Sequence, residues 1–186
     1  TGAVEEDLKS AFQIRGSQGE VTIAEAAEGE KWQYILTPET PLDLNREYRI
    51  TYDGNEYKLT MPNIFSTDAF EADYTYTGDD LGALWSPEST RFRVWAPTAE
   101  EVLLNLYGSG TEGTDDLLEQ IAMTADVNGT WIAEKEGDIN GTYYTYTAVI
   151  NGEEREACDP YARTTGVNGK RAMVLDLAAT NPQGWD

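Results

Sequence analysis

The sequence predicts an all-β chain built as two β-sandwiches of immunoglobulin-like type in tandem, residues 1–75 and 76–186. Three observations predict it. Apolar and polar residues alternate at period two through most of the chain. Gly, Asn, Asp and Pro punctuate these runs at short intervals. The runs themselves are rich in β-branched and aromatic residues, as in Thr142–Ile150. Many short strands with regularly placed turns belong in sandwiches rather than in helical layers. The first sandwich is near the lower size limit for an independent core, so it is expected to lean on the second.

In order, Phe12–Arg15, Val21–Ala24 and Trp32–Leu36 read as short strands. A hairpin follows over Glu47–Met61. Tyr48, Ile50 and Tyr52 point one way, Arg49 and Thr51 the other, and Asp53-Gly54-Asn55 supplies a turn that tolerates positive φ. Pro62 and Asn63 stop it. Ser66–Gly82 reads as an acidic connector, with Asp68, Glu71, Asp73, Asp79 and Asp80, and the domain boundary is expected within it. The second series opens with Thr90–Trp95, then Val102, Leu104 and Leu106 on one face. Leu117–Thr124, Thr130–Lys135 and Thr142–Ile150 continue it. Asn151-Gly152 turns the chain into Glu153–Ala157, and Ala172–Leu177 is the last strand. Helical patterns are confined to Glu5–Ala11 and Leu117–Ala122.

Thirty-four acidic and thirteen basic residues give a net charge of −21, which repels phosphate backbones and anionic lipid surfaces. Nucleic acid is therefore excluded as a partner. No apolar run approaches the length of a membrane span, so no membrane insertion is expected. The start, Thr1–Lys9, is polar and acidic, so a signal peptide was absent or has been removed. One cysteine, Cys158, rules out an internal disulfide and a Cys-rich zinc site. The chain has no histidine, which removes the usual general base, the usual metal ligand and the Ser-His-Asp triad.

Carboxylate chemistry remains, and glycosidic hydrolysis needs two carboxyls about 5–10 Å apart. The acids here fall largely in runs such as Glu5-Glu6-Asp7 and Asp115-Asp116, the pattern of a solvated surface. No catalytic residue, cofactor or metal site is assigned. Calcium has two weak candidates, Asp79-Asp80 and Asp126-Val127-Asn128-Gly129, and the second lacks a terminal Glu at the right spacing. A neutral polysaccharide suits an acidic, aromatic-rich surface, because sugars are bound by stacking on aromatic rings. Trp32 and Tyr34, on one face of a short strand, and Trp131 are the carbohydrate-binding candidates. Each is weighed against a place in the core.

The segment TRFRVWAPTAEEVLLNLY, residues 90–107, resembles the domain preceding the barrel in bacterial type I pullulanases of glycoside hydrolase family 13, a carbohydrate-binding module of family 48. The likeness continues through YTYTGDDLGALW, GTWIAEKEGDINGTYYTYTAVINGE, DPYAR and VNGKRAMVLDLAATNPQGW, over residues 74–186. Residues 1–73 more loosely resemble the small β-domain ahead of that module. The resemblance implies an α-1,6-glucan debranching enzyme acting on pullulan, starch and limit dextrins. Its Asp nucleophile and Glu acid/base would stand on a (β/α)8 barrel beginning after Asp186. No catalytic motif of that barrel is present, so this chain alone is expected to be no enzyme. Its partners would be that barrel and α-glucan, and its place extracellular or on a bacterial cell surface.

One departure matters. Glycogen-binding members of the family carry tryptophans in the loop after the second strand and just before the Asp-Pro motif. Here those segments read GSGTEGTDD and NGEEREACDP, without tryptophan. The module is therefore expected to brace the barrel. Trp95, Asp159, Pro160, Tyr161, Asn168, Arg171 and Trp185 are the candidates for packing against it, with Trp95, Tyr161 and Arg171 on one face. Arg171 is expected to pair with a carboxylate across that interface, against a local role in its own turn. The alternatives are a stand-alone starch-binding protein, a structural or partner-binding module of a cell-surface complex, and an isoamylase or glycogen-debranching relative.

Overall fold

A computed structural model describes residues 8–44, 46–113, 115–182 and 184. The fold is all-β, and the chain divides into two units, Thr1–Phe65 and Ser66–Asp186.

In the first unit residues 8–11 are helical. The strands β1 (Phe12–Gly16), β2 (Gly19–Val21), β5 (Tyr48–Tyr52) and β6 (Asn55–Lys58) form an antiparallel sheet in the order β2-β1-β5-β6. β3 (Ile23–Glu28) and β4 (Tyr34–Pro38) form a separate two-stranded ribbon. The hairpin β5–β6 closes through Asp53 and Gly54, both at positive φ (48° and 73°), which matches the twist of the flanking strands. Alternation along β1 buries Phe12 and Ile14, and Ala26 and Tyr48 join them. Phe12 stacks on Tyr52 at 4.4 Å, and Tyr34 of the ribbon meets Phe12 at 5.2 Å. The ribbon thereby covers the apolar face of the sheet.

The second unit begins with a short helix, α1 (Asp68–Tyr74). Thr67 caps it by accepting from the Phe70 amide at 3.2 Å, and Asp68 and Glu71 lie in its first turn, where the helix dipole favours anions. Two sheets follow. β7 (Gly82–Trp85), β8 (Ser89–Trp95), β11 (Thr124–Ala125) and β12 (Thr130–Glu136) run in the order β11-β12-β8-β7. β9 (Glu101–Tyr107), β10 (Leu117–Ala122), β13 (Tyr143–Ile150) and β14 (Glu153–Ala157) run in the order β10-β9-β13-β14, and β15 (Ala172–Met173) pairs with β13. Phe92, Val94 and Trp131 of the first sheet pack on Val102, Leu104, Leu106, Tyr144 and Tyr146 of the second. This is a β-sandwich. Phe92 meets the Tyr144 ring edge-on at 5.1 Å, and each such buried side chain contributes roughly 1.5–3 kcal/mol.

Charge pairing frames this core. Arg93, on the outer face of β8, donates to Asp80 at 2.9 Å, to Asp126 at 2.6 Å and to Thr130 at 2.8 Å. It also lies 5.3 Å over the Tyr76 ring, and the Tyr76 hydroxyl donates to Asp80. The Tyr76 hydroxyl first, and Arg93 with it, hold the Asp80 carboxyl below its usual range; Arg93 does the same to Asp126. Both segments weighed for calcium thus turn a carboxylate toward one guanidinium. Among the described residues no cluster of acidic side chains is spaced to hold a metal ion, and no helix is long and apolar enough to cross a membrane.

The structure departs from the sequence reading at several places and decides an alternative at another. Residues 68–74, read as connector, are helical. Residues 66–75, read as the end of the first sandwich, pack with the second unit, where the carbonyls of Asp73 and Tyr74 accept from Asn128 and Trp95. Leu117–Ala122 is a strand, as the run Leu117–Thr124 predicts, and its pairing with β9 decides against the helical alternative. The last strand stops at Met173, although Val174 still bonds the Thr142 carbonyl and the Gly141 amide beyond it.

Phe92 is 1% exposed, so Phe92→Ala is expected to lower the unfolding free energy by about 3–5 kcal/mol. Arg155→Ala, at an exposed ion pair with Glu153, should leave it within about 0.5 kcal/mol. Urea denaturation of the two variants checks both values.

Candidate functional site

The loop after β9 and the segment before Asp159-Pro160 converge at one end of the sandwich. They line a polar cavity of about 290 Å³ with Tyr107, Glu112, Thr145, Glu156, Lys170 and Arg171. Two glycines allow the loop after β9 to meet the turn that leads to Arg171. The Val167 amide donates to the Gly110 carbonyl at 3.0 Å, and a Cβ on Gly166 would stand 2.6 Å from Gly110. Alternation along β9 turns Tyr107 away from the core and into this cavity.

Arg171 closes over it. Its guanidinium carbon lies 3.6 Å from the centre of the Tyr107 ring. Its Nη1 donates to the Ser109 carbonyl at 2.8 Å and to Asp116 at 2.9 Å. Asp116 also accepts from the Ser109 amide at 2.7 Å. Arg171 is 5% exposed, so removing it would take the cation from a part-buried carboxylate that keeps the Ser109 amide. On the other side Glu156 accepts from the Tyr107 hydroxyl at 2.6 Å and from Thr145 at 2.5 Å. Burial, with the bond to Glu156, pushes the Tyr107 hydroxyl upward. Chemically the cavity offers charged and hydroxyl groups around one ring whose face is already covered by a cation.

The sequence-selected residues are distributed as follows. Trp32 is 96% exposed and lies outside the strand. The bonds from Gly29 N to Gln33 O and from Gln33 N to Glu30 O close a tight loop that holds Lys31 and Trp32 at positive φ. Strand β4 starts at Tyr34, so the two aromatics do not share a strand face. Tyr34 is half-exposed and bonds the Tyr52 hydroxyl at 3.2 Å. Trp131 is a core residue, 8% exposed, with its indole N–H on the Ala96 carbonyl at 3.1 Å.

Trp95 packs against Phe70 of α1 and donates to the Tyr74 and Asn128 carbonyls. Asp159 is 4% exposed and accepts from the Tyr144 hydroxyl at 2.7 Å and the Tyr161 amide at 2.8 Å. Burial pushes its carboxyl up. Pro160 is exposed, and Tyr161 packs its backbone against Gly82, where a Cβ would meet the Tyr161 carbonyl at 3.0 Å. Asn168 adopts φ 56° in an exposed turn. Trp185 lies outside the described residues.

Trp95 and Arg171 do not share a face. Trp95 ends β8, which the loop 96–100 joins to the start of β9, whereas Arg171 covers the far end of β9. Seven residues of strand separate the two ends by roughly 20 Å. The carboxylate Arg171 finds is Asp116, in its own unit. Tyr107, Asp116 and Glu156 were missed by sequence reasoning. The alternation that places Tyr107 outside the core is the signal that points to the first, whereas the other two depend on loop closure.

Residues 80–162 match the family model of carbohydrate-binding module 48 (isoamylase N-terminal domain). These residues belong to that family. The chain is 27% identical over 146 residues to the pullulanase of Bacillus subtilis (strain 168), across 78% of this chain and 20% of that protein. The pullulanase of Anoxybacillus sp. LM18-11, solved with maltotetraose, aligns with 92% of this chain and 24% of its own, at a TM-score of 0.74 and 34% identity. The pullulanase of Paenibacillus barengoltzii, solved with maltohexaose and α-cyclodextrin, aligns with 66% of this chain and 18% of its own, at a TM-score of 0.61 and 44% identity. The chain thus spans about a fifth of the length of these proteins. Within the family 48 module, the capped Tyr107 stands where the two tryptophan-free loops meet.

Asp159 gives a pH test. Its folded-state pKa is raised above the ordinary 3.8, so its contribution to stability is fully present below that value and is lost as pH rises through the folded pKa. Asp159→Asn cannot ionise. Its stability relative to the parent chain should therefore improve as pH rises above the ordinary carboxylate range and level off once the folded-state pKa is passed. Urea midpoints across that range measure the difference, and a constant difference would contradict the assignment.

Proposed function

We propose that the chain is a non-catalytic accessory region of a bacterial, extracellular, pullulanase-type α-1,6-glucan debranching enzyme of glycoside hydrolase family 13. It positions the catalytic barrel and adds at most weak contact with α-glucan. The observation that carries this reading is Arg171 seated on Tyr107. A sugar stacks on an open aromatic face, and here a guanidinium held by Asp116 occupies that face. Trp32 is the most exposed aromatic side chain among the described residues, with half-exposed Tyr34 nearby in sequence. A stacked ring contributes on the order of 1 kcal/mol beyond the area it buries, well short of the roughly 4 kcal/mol of a millimolar complex.

A second reading, a stand-alone starch-binding protein, has one observation in its favour. Trp32 is a large apolar side chain almost fully in solvent and held at positive φ, a backbone state that is uncommon outside glycine and often marks a functional position.

Affinity electrophoresis in pullulan and amylopectin gels separates the two. The accessory reading expects little retardation of the 186-residue chain, abolished by Trp32→Ala, and no reducing sugar released from pullulan. Strong retardation that survives Trp32→Ala would overturn it.

A further inference from the structure

The module presents a second concave surface, on the outer face of the sheet β11-β12-β8-β7. The register sets Leu84 and Glu134 on either side of Arg91, and Gly82 and Ile132 on either side of Arg93. Leu84 and Ile132 give an apolar floor to a groove of about 260 Å³. Arg93 is neutralised there by Asp80 and Asp126. Arg91 is exposed, and its side chain makes no hydrogen bond or ion pair among the described residues. Glu134, directly across from it, accepts from the Ser89 hydroxyl at 2.6 Å instead.

The outer face of the other sheet is different. There Asn105 donates to Thr145 at 3.1 Å and to Thr147 at 2.9 Å and accepts from Gln120 at 2.8 Å, so that face satisfies its own polar groups. In a chain of net charge −21, an exposed cation that makes no ion pair, beside an apolar floor, is complementary to a surface that brings its own carboxylate.

We propose that this face is the docking surface for the catalytic domain, which meets it with a carboxylate opposite Arg91 and aliphatic side chains over Leu84 and Ile132. The inference rests on the accessory reading above. The area fits an occupant within one chain. Four strands at about 4.8 Å spacing and some five residues in length give a face on the order of 300 Å². Counted on both partners this is about 600 Å², the lower end for contacts between domains of one polypeptide and below the size of a stable complex of separate proteins. The clasp of Arg93 with Asp80 keeps one rim of the groove in place.

The test uses the full-length enzyme that carries these residues, a version lacking residues 1–186, and two charge reversals. Arg91→Glu places the change in the groove. Arg155→Glu places the same change at an exposed pair on the opposite sheet. Thermal unfolding and limited proteolysis follow the release of the module. Arg91→Glu is expected to lower the melting temperature of the full-length enzyme and to speed release several-fold, by more than the small loss that a second carboxylate opposite Glu134 causes in the 186-residue chain. Arg155→Glu should do neither. If the two variants behave alike although deleting residues 1–186 destabilises the enzyme, the face is wrong and the accessory reading stands. If the deletion has no effect, the accessory reading falls and the docking proposal falls with it. Concentration-dependent dimerisation of the isolated chain that Arg91→Glu abolishes would name a second copy as the occupant and overturn the proposal.

Discussion

Thirty-four carboxylates and thirteen cations share one chain, so the placement of a few arginines governs how its loops can close. Self-repulsion at this net charge opposes compaction. Two guanidiniums on the second unit counter it where it would be worst. Arg93 draws Asp80 from the segment before β7 and Asp126 from the turn before β12 onto the same strand. Arg171 draws Asp116 and the Ser109 carbonyl together at the opposite end. Each acts across long sequence separations and from a half-buried or buried position, where screening by solvent is weaker than for surface pairs. The sandwich core supplies the bulk of the favourable burial. The two arginines determine which loops lie against its ends.

The strand pattern was readable because burial on one face writes itself into sequence as alternation. β1 and β8 follow it most plainly, and the glycine-containing turns at Asp53-Gly54 and Asn151-Gly152 fall where their chemistry requires. The short helix α1 was hidden by its acidity. Its signal is the Thr67 cap followed by Asp68 and Glu71, which competes with the same residues read as a solvated linker. β7 escaped because a four-residue strand that opens on Gly82 and ends before Ser86 has too little period to register.

The site was less legible, for a different reason. Whether an aromatic residue is core or surface depends on a strand's register with its partner, not on its own neighbours in sequence. Trp131 and Trp32 look alike in the sequence, yet one donates to a carbonyl inside the sandwich and the other projects from a strained loop. Arg171 was recognised as a residue seeking a carboxylate. That the carboxylate is Asp116 depends on two glycine-permitted loops crossing, which no local pattern encodes.

The lid on Tyr107 also constrains what this module can become. Uncovering the ring for sugar requires losing Arg171, yet that single step leaves Asp116 without the cation that compensates it in a partly buried loop. Replacing Asp116 first leaves the guanidinium over the ring. A sequence drifting toward glucan recognition must therefore change both positions together or pass through a less stable intermediate. The Arg171–Asp116 pair acts as a barrier in sequence space, holding the module in its closed form even without selection against sugar binding itself.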